Sequence, residues 1–447
     1  MKARRRERGK NRFETVSWGD KGMDGLTISH KVKREAQGSY YTIDFPVPSG
    51  VEKVTVSYTY HRLVSGFGKN ESPANVIDLG LEDAGGRFLG WSGSARRSVC
   101  VGEFESTNGY LTTEIVPGNW KIIVGAYKIE SRGVTVHYAI EFTPKSARWF
   151  FGDLHLHSDA SDGQHGIGKL AFMAKKKGLD FIAVSNHNNY AENLCLPHFP
   201  GLTLIPAVEW THYLGHMNFF GLEVPFRNSF IANSKEQMLQ LVNDAKEDGA
   251  IVSVNHPKCN FCPYLWNEDT CFDMIEVWNG PMRQVNTRAI RWWTQLMAGG
   301  RKIPIVGGSD FHRDFRYWRM GIPVTAVFAK SQRAEDILDA VSKGRGYVTS
   351  SVNGVKLELQ SPGISFGDTV ALGEGVQLEF RAHNTSFGMK LKLVTGGGTT
   401  LLTYDRHGRS LSGSIAIARR GFAYIMVTQK VFGRENICAI SNPIYFE

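Results

Sequence analysis

Hydrophobic and polar positions follow three successive patterns along the chain. From 38 to 147, short segments rich in Val, Ile, Tyr and Thr are separated by Pro-Ser-Gly and Pro-Gly-Asn turns, which is typical of an N-terminal β-sandwich domain. From 148 to 351, short apolar runs alternate with segments of helical period, and repeated β-then-α units predict a parallel sheet or barrel. From 352 to 447 the pattern is again β-like. We therefore predict an α/β protein with a basic tail and lead-in over 1–37, a sandwich, an α/β domain and a small C-terminal β domain.

Apolar residues at helical spacing predict four helices in the middle segment. The first begins near Ile167, the second follows a capping box of Ser234 and Gln237, the third covers about 284–298 and the last lies around Ile337. These helices would cover the predicted sheet.

Composition places the chain among ordinary globular proteins, with 42% hydrophobic and 21% charged residues in a chain of 447. The net charge of +9 is uneven, because Met1–Arg12 carries seven Lys/Arg and one Glu, hence +6. We interpret this stretch as a solvated basic tail; the alternative is a tail that contacts nucleic acid or anionic lipid. No apolar segment suits a signal peptide or a membrane span, so we expect a cytoplasmic protein.

Six cysteines in a chain of this length do not resemble a disulfide framework. Cys259 and Cys262 form a CxxC pair, and Cys271 follows nine residues later. Three cysteines without a clear fourth partner make a weak zinc motif, so we favour reduced thiols in or near a loop.

Histidines and acids of the middle segment fall at the ends of predicted strands. His155 and His157, at i and i+2, share one face of the strand that they close, and Asp310 and His312 repeat that spacing after IPIVGGS. The other candidates, also at strand ends or in adjoining loops, are Asp162, His187, Glu209, His216 and His256. In a parallel barrel, strand ends share one rim, so these residues would converge.

Nitrogen and oxygen donors without cysteine suit Zn, Mn or Fe. Each of these residues alone is more often structural than functional. Two strand-end pairs together with five further potential ligands, however, favour a metal cluster. Nine donors are too many for one ion and suit two to three ions with a bridging carboxylate.

The order H-x-H, SDG, H, E, H, H, D-x-H resembles the PHP (polymerase and histidinol phosphatase) domain. The phrases GDLHLHSDASDG, PAVEW, NHP, EVWNG and GGSDFH are similar to its CehA/McbA-type metallohydrolase subgroup. The motifs span about 150–315, and weaker phrases such as PGNWKIIVGAY and GRGYVTSS extend the resemblance over most of the chain outside the basic tail.

The resemblance implies a distorted (β/α)7 barrel with up to three metal ions. His155, His157, Glu209 and Asp310 would hold the first ion; Glu209 would bridge to a second, held also by His216 and His256. Asp162, His187 and His312 would hold the third. The chain departs from many PHP domains at Asn186, where an acid often precedes the histidine.

These expectations favour a hydrolase that uses metal-bound hydroxide, most simply a phosphomonoesterase or phosphodiesterase acting on a small anionic ester. Asp162 and His216 are the candidate catalytic proton donors. Cations near the motifs, among them Arg283 and Arg288, would favour an anionic substrate unless they lie on a solvated helix face. The alternatives are an amide or carbamate hydrolase of the same fold, and a metal-stabilised protein that binds carbohydrate, protein or nucleic acid.

Overall fold

The computed structural model describes residues 14–18, 25–62, 64–65, 72–266, 272–373, 375–402 and 404–447. The basic tail Met1–Arg12 and Cys271 lie outside these ranges, so the predictions made for them stay predictions. The chain forms two compact units, Met1–Ser146 and Ala147–Glu447. The predicted boundaries at 37/38 and 351/352 likewise stay predictions.

The described part of the first unit is built almost entirely of antiparallel strands. Its strands are β1 (Glu14–Trp18), β2 (Gly25–Val32), β3 (Tyr40–Val47), β4 (Val51–Tyr60), β5 (Val64–Ser65), β6 (Ser72–Pro73), β7 (Val76–Glu82), β8 (Phe88–Gly93), β9 (Ser98–Gly102), β10 (Gly118–Lys128) and β11 (Val134–Pro144). They form sheets of order β1-β2-β11-β4-β9 and β3-β10-β7-β8, with β5 pairing β6. Alternate residues of the two larger sheets, including the fully buried Trp120, share one apolar core.

Seven strands of the second unit form the sheet that carries the candidate site. They are β12 (Arg148–Leu156), β13 (Phe181–His187), β14 (Thr203–His212), β15 (Gly215–Phe220), β16 (Ile251–Val254), β17 (Met274–Asn279) and β18 (Ile305–Gly308). The strands are neighbours in chain order. The segment after β18 returns to β12, where the His157 amide donates to the Phe311 carbonyl at 3.0 Å. The two edges of this seven-stranded stretch therefore meet.

Within this seven-stranded stretch, one strand breaks the predicted parallel pattern. β15 runs antiparallel to both β14 and β16, whereas β12–β14 and β16–β18 pair in parallel. The connection from β14 is a tight turn with His212 paired to Gly215, which is too short for the crossover that a parallel neighbour requires.

Four helices in the described part of this unit match the predicted ones: α1 (Ile167–Lys176), α2 (Lys235–Glu247), α3 (Gln284–Ala298) and α4 (Ala334–Ser342). The hydroxyl of Ser234 caps α2 by accepting from the Gln237 amide. Strands outnumber helices, and the predicted mixed α/β class is confirmed. None of the helices in the described ranges has the length and apolar character needed to cross a bilayer.

The remaining strands extend the same compact unit. They are β19 (Val324–Ala329), β20 (Gly346–Thr349), β21 (Lys356–Leu359), β22 (Thr369–Val370), β23 (Val376–His383), β24 (Met389–Thr395), β25 (Gly398–Leu401), β26 (Tyr404–His407), β27 (Ser410–Ile417), β28 (Gly421–Val431), β29 (Arg434–Ser441) and β30 (Ile444–Phe446). β12 pairs with β19, β19 with β20 and β20 with β29, so C-terminal strands continue the sheet that begins at β18.

The buried Asn442 connects the C-terminal segment to this sheet. Its Oδ1 accepts from the Ile305 amide at 2.8 Å, and its Nδ2 donates to the carbonyls of Ile305 at 3.3 Å and Gly346 at 3.2 Å. One side chain thus satisfies backbone groups of both β18 and β20.

We predict that Asn442→Ala lowers the free energy of unfolding by about 1–3 kcal/mol, because it leaves buried backbone groups without partners. Urea denaturation measures this change. Asn228→Ala, at an exposed position of the same unit, is the control. Equal stability of the two variants would contradict the role assigned to Asn442.

Candidate metal centre

The fully buried carboxylate of Glu209, on β14, lies at the centre of the predicted ligands. Its Oε1 is 3.3 Å from His155 Nε2, 3.1 Å from His216 Nδ1 and 3.2 Å from His256 Nε2. Its Oε2 is 2.9 Å from His187 Nδ1. One carboxylate is therefore shared by histidines from four separate segments of the chain.

A second carboxylate, Asp310, faces the histidine pair of the first strand. Its Oδ1 lies 3.1 Å from His157 Nε2 and 3.4 Å from His155 Nε2. The His157 nitrogen is also 3.5 Å from Glu209 Oε2. His155, His157, Glu209 and Asp310 thus form one continuous group.

Asp162 lies near three imidazole rings on the more exposed side of the ligand cluster. Its carboxylate oxygens are 3.3 Å from His312 Nε2, 3.6 Å from His187 Nε2 and 3.9 Å from His157 Nδ1. The Asp162 side chain is 53% exposed, whereas that of His157 is fully buried. The structure therefore brings all nine predicted side chains together, with Asp162 nearest to solvent.

Strand direction explains why candidate ligands at the beginning of one strand and at the ends of others meet at the same edge of the sheet. His155 and His187 lie at or near the carboxyl ends of parallel strands, and His216 lies at the start of β15. Because β15 is antiparallel, its first residues lie beside the end of β14, with His216 opposite Thr211. Glu209 does not end its strand as predicted, since β14 continues to His212.

Two candidate ligands have a backbone conformation that side chains other than glycine seldom adopt. His256 has φ 27° and Asp310 has φ 51°, and both lie two residues beyond the end of a strand. Such conformations cost about 1–3 kcal/mol each and cluster at functional sites. Here the His256 side chain faces Glu209 and the Asp310 side chain faces His157.

Glu276, on β17, is a functional residue that the sequence reasoning missed. Its Oε1 is 3.0 Å from His155 Nδ1, and its Oε2 accepts from the His256 amide at 2.9 Å and from Asn279 Nδ2 at 3.2 Å. Asn279 Nδ2 also donates to Asp310 Oδ2 at 3.3 Å. Glu276 therefore orients several candidate ligands. The available signal was an acid within the otherwise apolar strand MIEVWN, since a buried carboxylate requires partners.

The buried carboxylate of Asp153 binds backbone amides next to the ligand cluster. Its carboxylate accepts from the amides of Ser309 and Gly321, both at 2.8 Å. Burial raises the pKa of Asp153 to about 6, although these hydrogen bonds act in the opposite direction. Asp153 thereby holds the segment between β18 and Asp310 against β12.

Asn186, where many PHP domains have an acid, points away from His187. Its Oδ1 accepts from the Ser158 amide at 2.9 Å, and its Nδ2 donates to Glu192 at 2.9 Å. Thr211 Oγ1 lies 2.6 Å from His187 Nδ1. In this chain Thr211 orients His187, while Asn186 organises the loop after β12.

Electrostatic coupling favours charged forms at the centre. Burial opposes ionisation of Glu209, but the nearby imidazoles of His155, His187 and His216 outweigh it and hold the pKa of Glu209 well below its usual value. Conversely, burial opposes the charged form of His155, but Glu276 and Glu209 outweigh it and raise the pKa of His155. Glu209 therefore favours its ionised form, which is the form that binds cations.

Buried donor atoms at the centre fit a divalent ion. Within the described ranges, His155 Nε2, His157 Nδ1 and Glu209 Oε2 are buried, and the atoms that lie close to them do not have the geometry of a hydrogen bond. With a cation bound beside Glu209, the contact of His155 Nδ1 with Glu276 would keep the remaining ring proton on Nδ1, which frees the Nε2 lone pair for the cation. Ligand atoms lie within 4.8 Å of one another in several sets, among them His155–His157–Glu209, His187–Glu209–His216 and His157–Asp162–His187–His312.

The aromatic side chains near the predicted ligands are buried in the core, whereas the nearby arginines contact surface loops or rings. Trp210, Trp278 and Phe311 are each about 1% exposed and belong to apolar clusters, so they are core residues rather than pocket walls. Arg283 packs over the Trp318 ring, and its Nη2 lies 3.4 Å from the Asn279 carbonyl. Arg288 is turned to the Lys258 carbonyl and Asn260.

No family model matches this chain, and no curated protein matches it. Among solved structures, it is similar to a two-domain protein from Bacteroides vulgatus described as containing a predicted PHP-like metal-dependent phosphoesterase. That likeness has 19% identity and a TM-score of 0.40, over 66% of this chain and 95% of the other.

Two further solved structures match over smaller parts of this chain. A protein from Bifidobacterium adolescentis described as a metal-dependent phosphoesterase matches with 16% identity and a TM-score of 0.27, over 38% of this chain and 90% of its own. An amidohydrolase from Chromobacterium violaceum matches with 14% identity and a TM-score of 0.27, over 37% and 89%. At these values the functional argument rests on the side chains described above.

We predict that Gly308→Ala displaces His155 and at least halves the divalent metal bound per chain. A Cβ at residue 308 would lie 2.4 Å from His155 Cβ and 2.9 Å from its backbone nitrogen. Elemental analysis after dialysis against Zn²⁺ or Mn²⁺ measures the content. Gly168→Ala, in α1 with open space around the new Cβ, is the matched control. Full metal content in Gly308→Ala would show that His155 tolerates displacement.

Proposed function

We propose that this protein is a metal-dependent hydrolase of the PHP type, related to the CehA/McbA group and acting on a phosphomonoester or phosphodiester. The observation that carries the proposal is the convergence of nine histidine, aspartate and glutamate side chains, with the buried Glu209 and the partly buried Asp310 at their centre. The meeting of the two edges of the seven-stranded stretch supports a (β/α)7-type barrel as its scaffold.

The contacts support a cluster of two to three Zn, Mn or Fe ions. His155, His157, Glu209 and Asp310 would hold the first ion. Glu209 would be shared with a second ion held by His216 and His256, because its Oε1 is within 3.2 Å of a nitrogen of each. Asp162, His187 and His312 would hold the third. Such ions, when bound, lower the pKa of water and polarise a phosphoryl oxygen.

The chain itself supplies orientation, exclusion of water and proton transfer. Glu276 fixes the His155 ring, and Thr211 fixes the His187 ring. The leaving group needs a proton from a group with access to solvent. Asp162 is 53% exposed, and His216 lines a cleft that opens to solvent; these two side chains are the candidate donors.

Arg283 supports an anionic substrate. Its guanidinium is held over Trp318 beside Asn279, the residue that also contacts Asp310. Planar guanidinium groups bind phosphate oxygens in a bidentate manner. Arg283 therefore places positive charge beside the cluster, where a phosphoryl group would approach.

Turnover of p-nitrophenyl phosphate, bis-p-nitrophenyl phosphate and a naphthyl carbamate in the presence of Mn²⁺ or Zn²⁺ tests the proposal. We expect hydrolysis of one or both phosphate esters. His155→Ala and Asp310→Ala should each lower kcat/KM by about 100-fold or more, because removal of a ligand costs several kcal/mol of transition-state stabilisation. His407→Ala, at an exposed position, should leave the rate unchanged.

The other outcomes separate the remaining classes. Turnover of the carbamate alone would assign the amide or carbamate alternative. Bound metal without turnover of any ester or amide would favour a metal-stabilised binding protein. Full activity and metal content in Asp310→Ala would refute the ligand assignment.

We further predict that Arg283→Ala raises KM for a phosphomonoester about 10-fold, which corresponds to roughly 1.4 kcal/mol of lost ground-state binding. Steady-state kinetics on the metal-loaded enzyme measures the change. Arg288→Ala, which removes an arginine bound to Lys258 and Asn260 instead, is the matched control. An equal KM in both variants would remove Arg283 from the binding site.

A further inference from the structure

Cys259 and Cys262 form a free thiol pair beside the candidate centre. Both are partly buried, in the loop that follows β16, where the Cys259 amide donates to the His256 carbonyl at 2.9 Å. The two sulfur atoms are 3.1 Å apart. Cys262 Sγ is also 3.6 Å from Nδ1 of His256. The loop therefore directs a thiol at a histidine that already faces Glu209.

The imidazole of His256 presents its two nitrogens to different partners. Nε2 lies 3.2 Å from Glu209 Oε1, whereas Nδ1 faces the sulfur of Cys262. His216 completes a group, because one ligand atom each from His216, His256 and Cys262 lies within 4.8 Å of the other two. This group contains a soft sulfur donor, unlike the nitrogen and oxygen cluster around Glu209.

We propose that His216, His256 and Cys262 form a binding site for a thiophilic divalent ion such as Zn²⁺, on the Cys262 side of the His256 ring. In tetrahedral zinc sites Zn–S is about 2.3 Å and Zn–N about 2.0 Å, so the sulfur and nitrogen lie about 3.5 Å apart. The observed 3.6 Å between Cys262 Sγ and His256 Nδ1 matches this separation. The site shares His216 and His256 with the second ion of the proposed hydrolase, and it adds a sulfur ligand that the proposed cluster lacks.

Cys259 fits the role of a supporting partner better than that of a ligand. Two thiolates on one zinc ion lie about 3.8 Å apart, whereas these sulfurs are separated by 3.1 Å. The Cys262 sulfur lies within hydrogen-bond distance of the Cys259 sulfur. A cation bound to Cys262 would stabilise the thiolate form of that residue. Cys259 would keep its proton and donate a hydrogen bond to the metal-bound sulfur.

The site has a path to solvent. His216 and Cys262 line a cleft of about 480 Å³ together with Thr211, Tyr213 and Phe261. Tyr213 and Phe261 are almost fully exposed and mark its mouth. An ion can therefore enter from the cleft without opening the sheet edge around Glu209.

Cobalt substitution of the full-length, reduced protein tests the inference. Co²⁺ bound by a thiolate gives an intense near-ultraviolet charge-transfer band that nitrogen and oxygen ligands do not give. We expect this band in the wild-type protein and its loss in Cys262→Ser. Cys195→Ser, at the exposed end of the short 3-10 helix Ala191–Cys195, should retain it. Cys259→Ala should weaken the cobalt affinity at this site about 10-fold through loss of the supporting hydrogen bond, and Cys259→Ser should restore part of it.

A second measurement on the wild-type chain does not depend on the folding of a variant. Alkylation with iodoacetamide, mapped by peptide mass spectrometry, should show Cys262 protected by Co²⁺ and Cys195 unprotected. In one outcome, reduced protein binds Co²⁺ and shows its visible absorption without the thiolate charge-transfer band. That result would overturn the inference but would not contradict the proposed cluster around Glu209. A chain that binds no cobalt would overturn both. A band that persists in Cys262→Ser would overturn the assignment of this ligand.

Discussion

The buried negative charge of Glu209 is the constraint on which the geometry of the second unit depends. A carboxylate with 1% exposure is stable in its charged form only with close partners. Those partners, His155, His187, His216 and His256, come from four segments that are far apart in the chain. The strand ends must meet for the charge to be compensated. Folding of the sheet and assembly of the centre therefore depend on each other.

Supporting residues determine how well the centre is oriented. Glu276 connects His155, the His256 backbone and Asn279, and Asp153 connects β12 to the segment that carries Asp310. These contacts stabilise two residues with positive φ, whose strain the surrounding hydrogen bonds offset. The Cys262 loop adds a sulfur donor on the opposite side of the His256 ring. A single histidine thus connects two kinds of ligand chemistry.

Local patterns predicted much of the second unit because their physical basis is local. Helical spacing and the Ser234 cap located the four helices, and the i, i+2 spacing placed His155 and His157 on one strand face. Partners were harder to predict. Glu276 bears no spacing relation to His155, and Cys262 reaches His256 through a loop whose path no periodicity encodes. The position of Glu209 within β14, three residues before its end, was missed for the same reason.

The sequence by itself determined the α/β class, the helices and which side chains could serve as metal donors, because these follow from residue type and short-range periodicity. Only the tertiary structure decided the antiparallel course of β15, which brings His216 beside Glu209. It also decided the continuation of the sheet through β20 and β29, and the separate orientations of Asn186 and His187. Strand direction and hydrogen-bond partners depend on long-range pairing, and a linear pattern of hydrophobic and polar positions leaves that pairing open.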